Sequence, residues 1–356
     1  AGAKELLEQN AEKISLVAPD LDVGVCSAGL DRWEAERDVV VGGVQSIFRR
    51  ADEIGKRDVC IIDECHLIPP DGEGMYRSLI AGLLAINPKM RIVGCTATPY
   101  RLKGGMICKP DNILNEICYK IGLKELIDKG FLSKLSAKSG RNIAKFDSLH
   151  IRAGEFVAEE VERAMSEDAV VSSACREIVE LTQNRKSVLV FCSSVAHCRS
   201  VAEKISRLAG TECAIVTGDT PSWERAEILE RFKGKSIASD LFGTIKPPLK
   251  FVCNVECLTT GFDAPNIDCV ALLRPTMSPG LLMQMCGRGT RLSPDTGKRD
   301  CMILDFGGNI ARHGCLDQLR PPGERTGERQ GPLAKSCPEC QTMMPLPLMT
   351  CPECGH

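Results

Sequence analysis

The stretch Val59-Cys60-Ile61-Ile62-Asp63-Glu64-Cys65-His66 is an apolar run that ends in two acids, a cysteine and a histidine. The run has the length and character of a parallel strand buried on both faces. In open α/β sheets, ligands sit beyond the carboxyl ends of such strands. Two carboxylates at that place can hold a Mg²⁺ ion and orient a water for attack on a phosphate. Taken alone, the same residues describe a strand that closes in a solvated acidic turn. A second apolar strand, Arg91 to Val93, runs into Gly94-Cys95-Thr96-Ala97-Thr98-Pro99-Tyr100-Arg101 and supplies a partner for those acids.

Val39-Val40-Val41 forms another strand, followed by Gly42-Gly43-Val44-Gln45-Ser46. This is either a glycine turn with a helix N-cap or a place where Gln45 and Ser46 bond a nucleic-acid phosphate. Upstream, residues 3–14 have helical periodicity, with Leu6, Leu7 and Ile14 inward. From Ser133 to Lys145 the chain is polar and basic, either a hinge or a nucleic-acid contact, and a solvated hinge is the expected reading. Glu155 to Met165 has an acidic helical pattern. Beyond Ala174, buried strands alternate with helix-length segments: Ser187 to Cys192, Cys213 to Val216, Lys250 to Cys253, Cys269 to Leu273 and Cys301 to Leu304. That alternation predicts parallel βαβ units and a second sheet domain.

Two further stretches in this half carry chemistry. Leu258-Thr259-Thr260-Gly261-Phe262-Asp263-Ala264-Pro265 follows a strand. Its glycine permits a tight turn beside a ligand, and Asp263 can reach a ribose or an arginine; an Asx-capped Gly/Pro turn explains the same residues. In Gln284-Met285-Cys286-Gly287-Arg288-Gly289-Thr290-Arg291, a helix from Pro279 to Met285 is expected to aim both arginines out of its carboxyl end. Guanidinium is always charged and binds phosphate oxygens in pairs.

Asp-Glu-x-His at 63–66, Thr-Ala-Thr-Pro at 96–99, Thr-Thr-Gly-Phe-Asp at 259–263 and Gln-x-x-Gly-Arg-x-x-Arg at 284–291 resemble motifs II, III, V and VI of superfamily II helicases. With Lys4 to Asn10, Thr217-Gly218-Asp219-Thr220-Pro221 and Ile303-Leu304-Asp305-Phe306, they resemble the bacterial RadD group of DNA-repair helicase-like ATPases. The resemblance implies two RecA-like parallel-sheet lobes, with ATP and Mg²⁺ between them and single-stranded or branched DNA across their tops. Asp63 would then hold Mg²⁺, Glu64 would orient the attacking water, and Arg288 and Arg291 would reach the γ-phosphate. Gly261, Asp263 and Gln284 would contact the nucleotide. His66, Thr96 and Thr98 would couple its state to DNA, and Gln45, Ser46, Thr259 and Thr260 would touch the strand backbone. A single-strand-binding protein is a further candidate partner. A non-catalytic nucleic-acid- or protein-binding module on the same scaffold, and the motor subunit of a restriction system, are the rival functions.

One element of that resemblance is missing. No Gly-x-x-x-x-Gly-Lys-Ser/Thr occurs in the 356 residues. Such a loop cradles the β- and γ-phosphates, and in the resembled group it lies upstream of the Lys4–Asn10 segment. The first lobe is therefore expected to be N-terminally incomplete, to expose apolar sheet surface and to turn over ATP slowly by itself.

The tail is a separate expectation. Arg320-Pro321-Pro322-Gly323 reads as a linker. Cys337-Pro338-Glu339-Cys340 and Cys351-Pro352-Glu353-Cys354 then place four thiols on two tight turns, the donor set of tetrahedral Zn²⁺ in a ribbon or knuckle. The expected organisation is a first lobe over 1–132, a hinge over 133–173, a second lobe over 174–318, a linker over 319–336 and a zinc module over 337–356.

The totals narrow the class. A net charge of −2 supplies no global field for nucleic acid, so such binding needs local grooves. No apolar run is long enough to span a membrane and no signal peptide opens the chain, so a cytoplasmic protein without membrane contact is expected. Many of the 20 cysteines lie inside apolar strands, which fits a reducing compartment.

Overall fold

The computed structural model describes residues 4–69, 72–101, 105–144, 146, 149–152, 154–238, 245–259, 262–318 and 333–356. The chain folds as two compact units, one built on residues up to Lys120 and the other from Ile121 onward.

The first unit runs α1 (Lys4–Val17), β1 (Val23–Ser27), β2 (Arg32–Trp33), β3 (Val39–Gly42), α2 (Val44–Ile47), α3 (Ala51–Ile54), β4 (Val59–Asp63), α4 (Met75–Ile86), β5 (Arg91–Cys95), β6 (Tyr100–Arg101) and β7 (Gly105–Met106). β1 pairs β3 in parallel and β2 antiparallel, and β4 pairs β5 in parallel. Helix α4 turns Leu79, Ile80 and Leu83 onto Cys60, Ile62 and Ile92. Only that face of β4 is covered. Val59 and Ile61 on the other face are 52% and 70% exposed, as is Val93 of β5 at 41%. The expectation of a strand buried on both faces is corrected here, because no described element packs over the second face.

The second unit runs α5 (Leu123–Asp128), β8 (Lys134–Ser139), β9 (Ile151–Arg152), β10 (Glu155–Phe156), α6 (Ala158–Met165), α7 (Asp168–Leu181), β11 (Val188–Cys192), α8 (Val195–Ala209), β12 (Cys213–Val216), α9 (Ser222–Phe232), β13 (Ile237–Ala238), β14 (Ile245–Lys246), β15 (Phe251–Asn254), β16 (Cys269–Leu273), α10 (Pro279–Gly287), β17 (Asp300–Asp305), α11 (Asn309–His313), β18 (Ala334–Ser336) and β19 (Met343–Pro345). Its sheet has six parallel strands in the order β12-β15-β11-β16-β17-β8. Alternation along β11 shows why both faces must be covered. Val188, Val190 and Cys192 join a core with α7 and α8, whereas Leu189 and Phe191 join one with α9 and α10.

Three expectations change. The polar stretch from Ser133 is not a solvated hinge: Lys134–Ser139 is the edge strand β8, paired along its length with β17. An edge strand needs only one apolar stripe, and Leu135 and Ala137 provide it. The acidic helix begins at Ala158; before it, Glu155 and Phe156 form a hairpin with β9. Of the expected linker, Ala334–Ser336 is a strand paired with β19, and residues 319–332 lie outside the described set. Among the described residues, no helix is long and apolar enough to cross a membrane.

The two sheets predict opposite responses to truncation. Leu272→Ala, at a fully buried position, should cost about 2–5 kcal/mol, whereas Ile61→Ala should cost less than about 1 kcal/mol. Chemical denaturation followed by circular dichroism checks both.

Candidate functional site

Asp63 is the last residue of β4, and its carboxylate accepts the Glu64 amide at 3.0 Å. Glu64 adopts a left-handed backbone, φ 50° and ψ 46°. A residue with a Cβ holds that conformation at a cost of about 1–3 kcal/mol, so the surroundings impose it. The bend starts a short 3₁₀ turn, Cys65–Leu67, which folds His66 back over β5. Gly94 allows the approach: a Cβ there would lie 2.7 Å from Cys65 Sγ. Burial pushes the Cys65 thiol up to about 11, so it packs rather than reacts.

His66 Nδ1 lies 2.9 Å from Thr96 Oγ1 and 3.4 Å from Thr98 Oγ1, and Thr96 Oγ1 also accepts the Thr98 amide at 3.0 Å. The structure therefore brings His66, Thr96 and Thr98 together. Glu64 Oε2 is 3.1 Å from His66 Nδ1, yet it is enclosed and has no aligned hydrogen bond among the described residues. Proximity without alignment leaves an acceptor that a water can fill. Burial, then the charges of Asp63 and Glu64, raises the Tyr76 phenol above its ordinary value. Elsewhere in this unit, Ser46 Oγ accepts the Ala28 amide at 2.9 Å and the Gly43 amide donates to Cys26 at 3.1 Å, while Gln45 is exposed. The turn read as a phosphate contact is thus largely satisfied internally.

In the second unit, Ser278 caps α10 by accepting the Leu281 amide, and Pro279 fits the first turn, where its missing N–H costs nothing. The helix ends at Gly287 and releases Arg288 and Arg291. Arg288 donates to the Phe262 carbonyl at 2.6 Å and through Nε to the Gln284 carbonyl at 3.4 Å. Arg291 pairs with Asp263. Thr259 turns inward, its hydroxyl donating to the Glu256 carbonyl. Thr260 and Gly261 lie outside the described residues. Two anchors escaped the sequence reading. Ser133 donates from its amide to Thr290 at 2.6 Å and from its hydroxyl to the Arg291 carbonyl at 2.9 Å. Glu155 accepts the Met277 amide at 2.6 Å and the Thr276 hydroxyl at 2.7 Å just before α10. Neither lies in a recognisable motif.

Cys337, Cys340, Cys351 and Cys354 have their sulfurs all within 4.8 Å of one another. Cys337 to Cys354 is 3.7 Å and Cys340 to Cys351 is 3.6 Å. Zn–S bonds of about 2.3 Å give a tetrahedron with S···S edges of about 3.8 Å, so the four thiols fit Zn²⁺. The Thr342 hydroxyl, above all, draws Cys340 down to about 6, toward the thiolate that metal requires. The module is not a free appendage. The Ser139 amide of β8 donates to Gln341 at 2.9 Å, Lys138 bridges Thr342, and Ala334 and Met343 enter the core of the second unit.

Two protein families match this sequence: "Type III restriction enzyme, res subunit" over residues 1–101 and "Helicase conserved C-terminal domain" over 170–293. A Saccharomyces cerevisiae protein described as ATP-dependent helicase IRC3 is 29% identical over 309 residues, 85% of this chain and 42% of that protein. A Schizosaccharomyces pombe protein described as mitochondrial ATP-dependent helicase irc3 is 31% identical over 324 residues, 87% of this chain and 48% of the relative. The endonuclease subunit of the Escherichia coli type I restriction enzyme EcoKI is 28% identical over 180 residues, 47% of this chain and 14% of that subunit. Among solved structures, a fragment of an HsdR subunit of a type I restriction enzyme from Vibrio vulnificus superposes with a TM-score of 0.60 at 23% identity, over 84% of this chain and 53% of that one. The chain spans less than half the length of the two fungal relatives. The architecture is the two-lobe RecA-like helicase fold.

Two outcomes are expected. Glu64→Gly should be neutral or stabilising by up to about 1 kcal/mol, because glycine adopts the left-handed backbone freely; a thermal melt checks it. One equivalent of Zn²⁺ per chain should be found by elemental analysis, and Cys340→Ser should abolish its retention through dialysis against a chelator.

Proposed function

We propose that this chain, a member of the superfamily II helicases, is the motor part of an ATP-dependent DNA helicase or DNA-stimulated ATPase. The observation that carries the reading is the Asp63–His66 turn, where strained Glu64 holds an enclosed, unbonded carboxylate oxygen beside Asp63. Strain of this kind persists where the surroundings over-determine it, and it clusters at active sites.

Asp63, exposed and with one side-chain oxygen bonded to its neighbour's amide, would hold Mg²⁺. Bound MgATP would supply the phosphoryl group to be transferred. Glu64 would orient the attacking water through that enclosed carboxylate oxygen. Arg288 and Arg291 would exchange the Phe262 carbonyl and Asp263 for phosphate oxygens. Gly261, Asp263 and Gln284 would shape that surface. His66, Thr96 and Thr98 would report the nucleotide state, and Gln45, Ser46, Thr259 and Thr260 would meet the DNA backbone. A RadD-like role in DNA repair or recombination, in a reducing cytoplasm, is the finer reading. The free thiols throughout the described chain support that compartment.

The motor subunit of a restriction system is the second reading. The match of residues 1–101 to a restriction-enzyme family and the likeness to EcoKI favour it. A non-catalytic binding module would keep the scaffold without turnover.

The test is ATP hydrolysis, with and without single-stranded DNA, by the natural full-length protein and by residues 1–356. We expect DNA-stimulated turnover in the former and little in the latter, which holds no phosphate-loop motif. Glu64→Gln or Arg291→Ala should lower full-length turnover by roughly 10³-fold or more. Full activity in both variants would refute the motor reading. Nucleotide-independent DNA binding without hydrolysis would establish the module, and a nuclease subunit in the purified complex would establish the restriction motor.

A further inference from the structure

Lys298 lies between α10 and β17, outside every motif singled out in the sequence. Its Nζ donates to three carbonyls: Arg291 at 2.7 Å, Gly289 at 2.8 Å and Pro265 at 3.0 Å. An ammonium has three N–H groups and no acceptor, so the donor set is saturated. Two of the carbonyls belong to the arginine turn. The third belongs to the segment that carries Asp263 and Phe262.

We propose that Lys298 is a positioning residue whose ammonium pins the Arg288–Arg291 turn to the Phe262–Pro265 segment, so that both guanidiniums are presented in one fixed geometry. The guanidiniums already touch that segment through Phe262 and Asp263. Those contacts are the ones a phosphate must replace. When they break, the turn keeps its place only through its backbone anchors. Cys301 presses from below, since a Cβ on Gly289 would fall 2.2 Å from its sulfur. Ser133 holds Thr290 and Arg291 from the side. Lys298 alone among these anchors spans both segments. Arginine is an imperfect substitute, because a planar fork cannot converge three donors on three carbonyls around one point.

The charge state enters through burial, which pushes the Lys298 pKa below the ordinary lysine value. The groups facing it are Cys301, Asp268 and Asp300, which favour its charge, and Arg185, which opposes it. As pH rises, Lys298 loses its proton before a surface lysine would. The neutral amine then turns a lone pair toward one carbonyl and the clamp opens.

This inference rests on the reading of Arg288 and Arg291 as phosphate-facing groups. The experiment measures DNA-stimulated ATP turnover of the full-length protein, together with amide hydrogen exchange. Lys298→Met should lower kcat at least about tenfold with KM for ATP nearly unchanged, the scale expected of a displaced catalytic group. Lys298→Arg should recover part of the loss and remove the alkaline fall in kcat. Exchange over 289–292 should quicken while that of β11 and β16 stays the same. In the Arg291→Ala background, Lys298→Met should add little. Turnover within twofold of the parent in Lys298→Met, while Arg291→Ala is crippled, overturns the clamp and leaves the motor reading standing. Faster exchange across the whole sheet, with no rescue by arginine, also overturns it by marking a general structural role. If Arg291→Ala itself retains full turnover, the motor reading falls and the clamp falls with it.

Discussion

Three inner strands of the second unit, β11, β15 and β16, bury every side chain they carry on both faces, and this constraint shapes the rest of that lobe. β11, β15 and β16 have no exposed position. A parallel ladder satisfies its backbone internally and needs helices on each side. Most polar side chains are thereby excluded from these strands. They collect in the crossings, where Thr259, Asp263, Arg288 and Arg291 all lie. A crossing has no ladder to hold it, so its geometry depends on side-chain anchors. Ser133 and Lys298 are such anchors for the Arg288–Arg291 turn, and Glu155 is one for the segment just before α10.

The first unit meets the same requirement less completely. β4 and β5 carry apolar residues on both faces, but among the described residues only one face is covered. The Asp63–His66 turn nevertheless has defined geometry, because it is set from within. The left-handed Glu64, the close contact at Gly94 and the His66–Thr96 bond each restrain it. Local strain and local polar bonds can fix a site even where the surrounding sheet is open on one side.

The cysteines divide by environment rather than by number. Cys192, Cys253, Cys269 and Cys301 are wholly buried in strands and act as small apolar residues. Cys337, Cys340, Cys351 and Cys354 stand on two turns with their sulfurs gathered at metal-ligand spacing. The spacing of the two Cys-Pro-Glu-Cys turns exposed this difference in the sequence. Attachment of the module to β8 through Ser139 and Lys138 was not legible, since main-chain pairing between distant segments leaves no residue signature.

Apolar runs bounded by turn residues were enough to locate β11, β12, β15, β16 and β17 and the helix α10, because period and burial are written in residue type. Short polar motifs, read through the helicase resemblance, likewise placed Asp63, Glu64 and His66 in the turn after β4, and Arg288 and Arg291 in the turn after α10, where the structure has them. The edge strand β8 was misread as a hinge, because a strand that needs one apolar stripe resembles a polar linker. Which carbonyl Arg288 seeks, that Asp263 takes Arg291, and that Lys298 binds three carbonyls were decided only by the tertiary structure. Main-chain acceptors are identical at every residue, and only folding determines which of them stand within reach of a given cation.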